Sequence, residues 1–212
     1  MIDNFTPAQA WAEMLQGNER FVTAAPQHPR QDVERREALA LKQAPHAALF
    51  GCSDSRLAAE IIFDRGIGDL FVVRNAGQII SDSVLGSLEY AVGVLKVPLI
   101  VVLGHDECGA VLAAIDSQGQ NATPLPPHIA KLIEKIIPAV RRVAGTPSGV
   151  IDTNGVDSQV VGREHLRDTI AELLASSELI TDAIAAGTLA VVGANYRLTE
   201  GRAVPDVIVG VA

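Results

Sequence analysis

The chain has 212 residues, 48% of them hydrophobic and 20% charged, which is an ordinary globular balance with enough length to bury one sizeable core. Its formal net charge is −8, and its basic residues form only pairs such as Arg35-Arg36 and Arg141-Arg142, which excludes non-specific binding to nucleic acid or anionic membranes. No stretch reaches the roughly 18 apolar residues that span a bilayer. The opening Met1-Ile2-Asp3-Asn4-Phe5 has neither the basic start nor the apolar run of a secretory signal, so the expected location is the cytoplasm.

Thr6 to Val22 predicts a helix, with Trp11, Met14, Leu15 and Phe21 as its apolar stripe. A proline-marked loop, Ala24 to Pro29, follows, and then a polar helix from Gln31 to Lys42. Residues 1–45 therefore predict a helical arm too thin to form its own core. From residue 46 strands and helices alternate. Expected strands are Ala47–Phe50, Leu70–Val73, Pro98–Leu103, Leu189–Val192 and an edge strand Asp206–Val211. Expected helices are Leu57–Asp64, Ser83–Leu95, Gly109–Asp116, Ile129–Val143, Val160–Ala175 and Glu178–Ala186. This order predicts an α/β fold: a mainly parallel four-stranded sheet with an added edge strand, helices on both faces and an N-terminal helical arm. Residues 46–212 form the single expected domain.

Two segments carry chemistry. Gly51-Cys52-Ser53-Asp54-Ser55-Arg56 follows the first strand, and Gly104-His105-Asp106-Glu107-Cys108-Gly109 follows the third. Ligands in open parallel sheets bind beyond the carboxyl ends of the strands. Both cysteines of the chain lie in these two segments. In a cytosolic chain, metal binding or catalysis is a better reading of them than a disulfide. Two thiolates and an imidazole suit zinc, which prefers four tetrahedral ligands. Three obvious ligands leave one position open, the pattern of a catalytic site. Cys108 would start a helix, where the dipole favours a thiolate. Asp54 and Arg56 are two apart and can lean the same way from an extended turn. A carboxylate there can orient a water on the metal or displace it, and a bidentate arginine favours the first arrangement.

Taken singly, each residue has a plainer role. Cys52 and Cys108 read as small core residues, His105 as a hydrogen-bonded strand end, Asp54 as the cap of the Leu57 helix and Arg56 as a surface charge. Asp106 and Glu107 read as helix-start carboxylates, off the metal. The coincidence of the set outweighs these readings. Gly66-Ile67-Gly68 lacks a third glycine and precedes a strand, so it is no dinucleotide loop.

Cys-x-Asp-x-Arg with His-x-x-Cys about fifty residues later resembles the β-carbonic anhydrases. Asp69 to Gly77, Gly86 to Val92, and Leu189 to Ala194 with Tyr196 are similar to that family's second strand and turn, next helix and late strand. The resemblance implies zinc, one ion per subunit, held by Cys52, His105 and Cys108, and reversible hydration of carbon dioxide to bicarbonate and a proton by zinc-bound hydroxide. It implies a homodimer or homotetramer whose arm wraps over the partner, with the pocket at the interface. Gln43, Phe71 and Tyr90 match pocket residues of the family by position, Gln43 as a hydrogen-bonding partner of substrate, and the Gly109 N–H faces the same pocket. Asp54 on Arg56 implies the active state, and Asp54 as fourth zinc ligand a closed one. The chain departs from the family in two places: Asp106 stands where serine is common, and Leu49 stands where one branch uses tryptophan for a non-catalytic bicarbonate site. The alternatives are a carbonyl sulfide or carbon disulfide hydrolase on the same scaffold, a silent zinc-stabilised binding protein with Asp54 permanently on the metal, and a Cys52–Cys108 redox pair. His28, His46 and His128 read as surface residues, with no assigned proton shuttle.

Overall fold

The computed structural model describes residues 5–210. The order of elements is α1 (Pro7–Val22), α2 (Val33–Ala38), β1 (Ala47–Cys52), α3 (Ala59–Ile62), β2 (Leu70–Asn75), α4 (Asp82–Gly93), β3 (Leu99–His105), α5 (Gly109–Asp116), α6 (Pro127–Ile133), α7 (Ile137–Ala144), α8 (Ser158–Ser176), α9 (Glu178–Ala185), β4 (Ala190–Arg197) and β5 (Arg202–Val209). The sheet runs β2-β1-β3-β4-β5. β2, β1, β3 and β4 are parallel, and β5 pairs antiparallel with β4. This is the expected architecture.

The central strands β1, β3 and β4 are buried on both faces because each face carries a helical layer. Leu49, Leu99, Val101 and Val192 point into one core with Trp11, Phe63, Val111, Ile136 and Val140. Ala48, Phe50, Ile100, Val102 and Val191 point into the other with Leu88, Leu166, Ile170 and Ile180. Successive residues thus alternate between two apolar layers.

Several boundaries differ from expectation, each for a local reason. α2 covers only Val33–Ala38; beyond it the Ala40 and Lys42 N–H groups bond carbonyls three residues back, so the chain passes into turns. The expected Leu57–Asp64 helix shrinks to Ala59–Ile62, ended by Asp64 at φ 45°. Ile129–Val143 is two helices, since Pro138 sits in the first turn of α7 and lacks the N–H to continue α6. β4 and β5 are longer than expected. β5 carries Pro205 at an irregularity opposite Gly193 and Ala194, as an edge strand tolerates. Its expected end at Val211 lies outside the described residues.

The arm is anchored to its own chain. Ala10, Trp11 and Met14 are buried in the first core. Gly17 lets α1 approach α3 closely, for a Cβ there would fall 1.9 Å from the Phe63 carbonyl oxygen. Asn18 donates to the carbonyls of Ile62 (3.1 Å) and Gly201 (2.8 Å) and accepts from the Ala203 N–H (2.9 Å). Asp64 accepts from Arg20 and from the N–H groups of Gln27 and His28. Asp69 receives Arg30 and Arg35. Because Trp11 is 5% exposed, Trp11→Ala is expected to cost about 3–5 kcal/mol of stability, read as a lowered urea midpoint at unchanged slope.

Candidate metal centre

The strand order reverses between β1 and β3, which pair side by side while the chain continues outward in both directions. That switch point is where an α/β sheet opens a crevice at its carboxyl edge. Cys52 is the last residue of β1 and His105 the last of β3. Both are therefore in the sheet rather than in the loops after it. Cys108 is the N-cap of α5. Cys52, His105 and Cys108 are all buried, and their ligand atoms lie within 4.8 Å of one another. A tetrahedral zinc with bonds of about 2.3 Å to sulfur has ligand–ligand edges of about 3.7 Å, so the cluster is compact enough to close on one ion.

Two further observations fit a metal. His105 Nδ1 lies 2.7 Å from the Asp106 carbonyl oxygen, which assigns the proton to Nδ1 and leaves Nε2 a lone pair. That Nε2 is buried without a hydrogen-bond partner. An orphaned imidazole nitrogen facing two thiols is costly as plain structure and suited to a ligand. The sulfurs are also prepared for it. The Cys52 thiol is held well below its ordinary value, chiefly by a hydrogen bond from Cys108 and against the cost of burial, with the Gly77 N–H (3.3 Å) adding to the effect. The same bond pushes Cys108 up, and burial reinforces it. The pair thus favours one thiolate, and a bound cation would favour the second.

Asp54 is not among the three ligands. Arg56 Nε donates to its Oδ1 at 2.9 Å and Arg56 Nη2 to its Oδ2 at 2.7 Å, with the Arg56 backbone N–H adding a third bond at 2.9 Å. The guanidinium also reaches the Glu107 carbonyl oxygen at 3.1 Å. The Arg56 bonds hold the Asp54 carboxyl well below the usual carboxylate range. Asp54 is therefore no helix cap, and Arg56 no idle surface charge. Asp106 and Glu107 do not start a helix either. Asp106 Oδ1 accepts from the Leu198 N–H at 3.0 Å, and Glu107 is exposed in a left-handed turn at φ 50°.

The expected pocket residues divide. Gly109, the first residue of α5, adjoins Cys108. Phe71 and Tyr90 stack at 6.1 Å between centroids, and Tyr90 and Gln43 line a groove at the opposite end of the sheet with Leu39, Leu41 and Val94. Phe71 pairs in register with Ala48, four residues before Cys52, or roughly 13 Å of extended chain. Within one chain these three side chains do not meet the metal cluster. Of the three surface histidines expected, His28 and His128 are exposed, while His46 is half-buried against Phe5 at 4.7 Å.

Three residues at the centre escaped sequence reasoning. Arg74 Nε donates to the Cys52 carbonyl at 2.8 Å and its Nη2 to the Asp54 carbonyl at 2.6 Å, clamping the loop that carries both. Gly77 donates to Cys52 Sγ, and His165 bonds the Gly77 carbonyl. Arg74, within β2 opposite Gly51, and Gly77, just after that strand, lie at the same sheet edge as Cys52, which is a usable signal. His165, 88 residues from Gly77, gives none.

The family model described as carbonic anhydrase matches residues 47–203. A carbonic anhydrase 2 of Mycobacterium tuberculosis is 48% identical over 201 residues, covering 95% of this chain and 93% of that protein. A carbonic anhydrase of Mycolicibacterium smegmatis is 46% identical over 199 residues, covering 94% and 93%. Among solved structures, a tetrameric β-carbonic anhydrase of the ascomycete Sordaria macrospora superposes with a TM-score of 0.66 at 25% identity, covering 92% of this chain and 95% of that one.

Proposed function

The chain belongs to the β-carbonic anhydrase family, and from that premise we propose that it hydrates carbon dioxide reversibly to bicarbonate and a proton at a zinc ion held by Cys52, His105 and Cys108. The observation that carries this reading is the bidentate hold of Arg56 on Asp54 beside a three-ligand cluster. It keeps the fourth position from a protein ligand, which distinguishes a catalytic zinc from a structural one. When bound, zinc supplies a Lewis acid that lowers the pKa of a coordinated water toward about 7 to 8, giving a hydroxide nucleophile near neutral pH.

The residues of the chain do the rest. His105 presents Nε2 because its Nδ1–H is engaged. Asp54, ionised and fixed by Arg56, accepts a proton in a hydrogen bond and so orients the nucleophile. The Gly109 N–H, at the positive end of α5, faces the substrate oxygen. Gln43, Phe71 and Tyr90 act at the centre of a second copy in a dimer or a tetramer, because their own lies too far along the sheet. The exposed Leu41 and Val33 of the arm belong to the same contact.

The silent binding protein requires Asp54 on the metal, and its carboxylate is engaged by Arg56 instead. A redox pair leaves the His105 nitrogen and the Asp54–Arg56 dyad without a role. Among the described residues no helix is long and apolar enough to cross a membrane. The test is zinc content and turnover measured on one sample at about pH 8.4, above the expected water pKa. One zinc per chain with rapid hydration of carbon dioxide is expected, with little turnover of carbonyl sulfide or carbon disulfide. The reverse preference would overturn the substrate assignment.

Activity is also expected to rise with pH from about 6.5 to about 9, the range over which a zinc-bound water would lose its proton. Asp54 does not cause this rise, because its folded pKa is depressed and it stays ionised across the window. A flat profile with full activity at the acid end would contradict it.

A further inference from the structure

His165 lies on α8, is 2% exposed and takes no part in the mechanism above. Its Nε2 is 2.7 Å from the Gly77 carbonyl oxygen. Burial lowers its pKa, so the ring is neutral and donates from Nε2. Gly77 in turn donates its N–H to Cys52 Sγ at 3.3 Å. These two groups of Gly77 belong to different peptide units, so the histidine does not polarise the N–H; it orients it. The turn needs that help. Gly77 and Gln78 are successive left-handed residues, at φ 79° and 43°, and the non-glycine one is strained there. Asn75 secures the two ends of the turn, accepting from the Ile79 N–H and donating to the Ile79 carbonyl, both at 2.7 Å. Its middle is held from α8. A Cβ at Gly77 would stand 2.9 Å from the Ala110 Cβ, so the turn is also wedged against α5, the helix that starts at Cys108.

We propose that His165 is a positioning residue for the metal centre: by holding the Gly77 carbonyl it keeps the Gly77 N–H on the Cys52 sulfur and the Cys52 thiolate aimed at the ion. This rests on the zinc reading above. Partners of this outer kind typically change metal affinity about 10–100-fold when lost.

The test uses the full chain loaded with zinc. His165→Met keeps volume without a donor. His165→Gln places an amide N–H the same number of bonds from the backbone as Nε2. Zinc release to excess chelator is followed, together with the thiolate charge-transfer band of the cobalt-substituted protein. The Met variant is expected to release zinc about tenfold faster or more and to shift the band, with Gln restoring both to near wild type. Unchanged release and band in a folded Met variant would overturn the proposal. A second measurement needs no variant. In the wild type loaded with cadmium-113, the Gly77 amide proton is expected to couple to the metal through the N–H···S bond. Absence of that coupling would overturn the proposal even if the Met variant fails to fold. A wild type that holds no stoichiometric metal would sink the zinc reading itself, a separate and recognisable result.

Discussion

Cys108→Ser is expected to give a folded chain that no longer retains zinc and no longer hydrates carbon dioxide. The oxygen is smaller than sulfur, so the buried site accepts it with little repacking. A serine hydroxyl stays protonated at neutral pH, however, and zinc draws its affinity here from two thiolates. The loss should exceed the roughly 10–100-fold that removal of an outer partner costs, because a direct ligand is gone. Metal analysis after gel filtration, with circular dichroism to establish folding, measures this. Stoichiometric zinc in a folded Cys108→Ser chain would remove Cys108 from the ligand set.

Arg56→Gln is expected to lower hydration activity about 10–100-fold at neutral pH, while zinc content stays near one per chain. The guanidinium makes two side-chain bonds to Asp54 and one to the Glu107 carbonyl. A glutamine cannot reproduce that fork. The released Asp54 would be an anionic oxygen beside a bound cation and would compete for its open position. The loss should be greatest near pH 6.5 and partly recovered near pH 9, where hydroxide competes better with the carboxylate. The double variant Asp54→Ala with Arg56→Gln should lose this extra acid sensitivity. Equal loss at both ends of the range in Arg56→Gln would mean that Arg56 acts in some other way than by holding Asp54.

The parts of the molecule that were legible in the sequence are those whose determinants are local. The run Leu99 to Leu103 is apolar without alternation, which is the mark of a strand covered on both faces, and β3 is such a strand. The two motif segments end strands that are neighbours; the α/β order put both at the carboxyl edge of the sheet, and their shared ligand chemistry brought them together. Helix ends were harder, because α3 ends where the Asp64 carboxylate is drawn to Gln27 and His28, a contact across 36 residues or more. Pro138 announced its own break, yet the apolar residues on either side of it suggested one helix. The support around Cys52 comes from Arg74 and from His165 on a distant helix. His165 is selected by position in space, and no spacing in the chain points to it, whereas Arg74 sits on the strand beside Cys52. Gln43, Phe71 and Tyr90 were reached through resemblance rather than pattern, since one chain alone does not bring them to the metal.

The most direct measurement is X-ray absorption at the zinc edge at about pH 8.4, on the native chain and on Asp54→Asn. Two sulfur neighbours at about 2.3 Å and two nitrogen or oxygen neighbours at about 2.0–2.1 Å are expected, with the same spectrum in both proteins, because Asp54 rests on Arg56 and would leave the fourth position to water. Fewer than two sulfurs, or a spectrum that changes its oxygen shell when Asp54 is replaced, would contradict this arrangement.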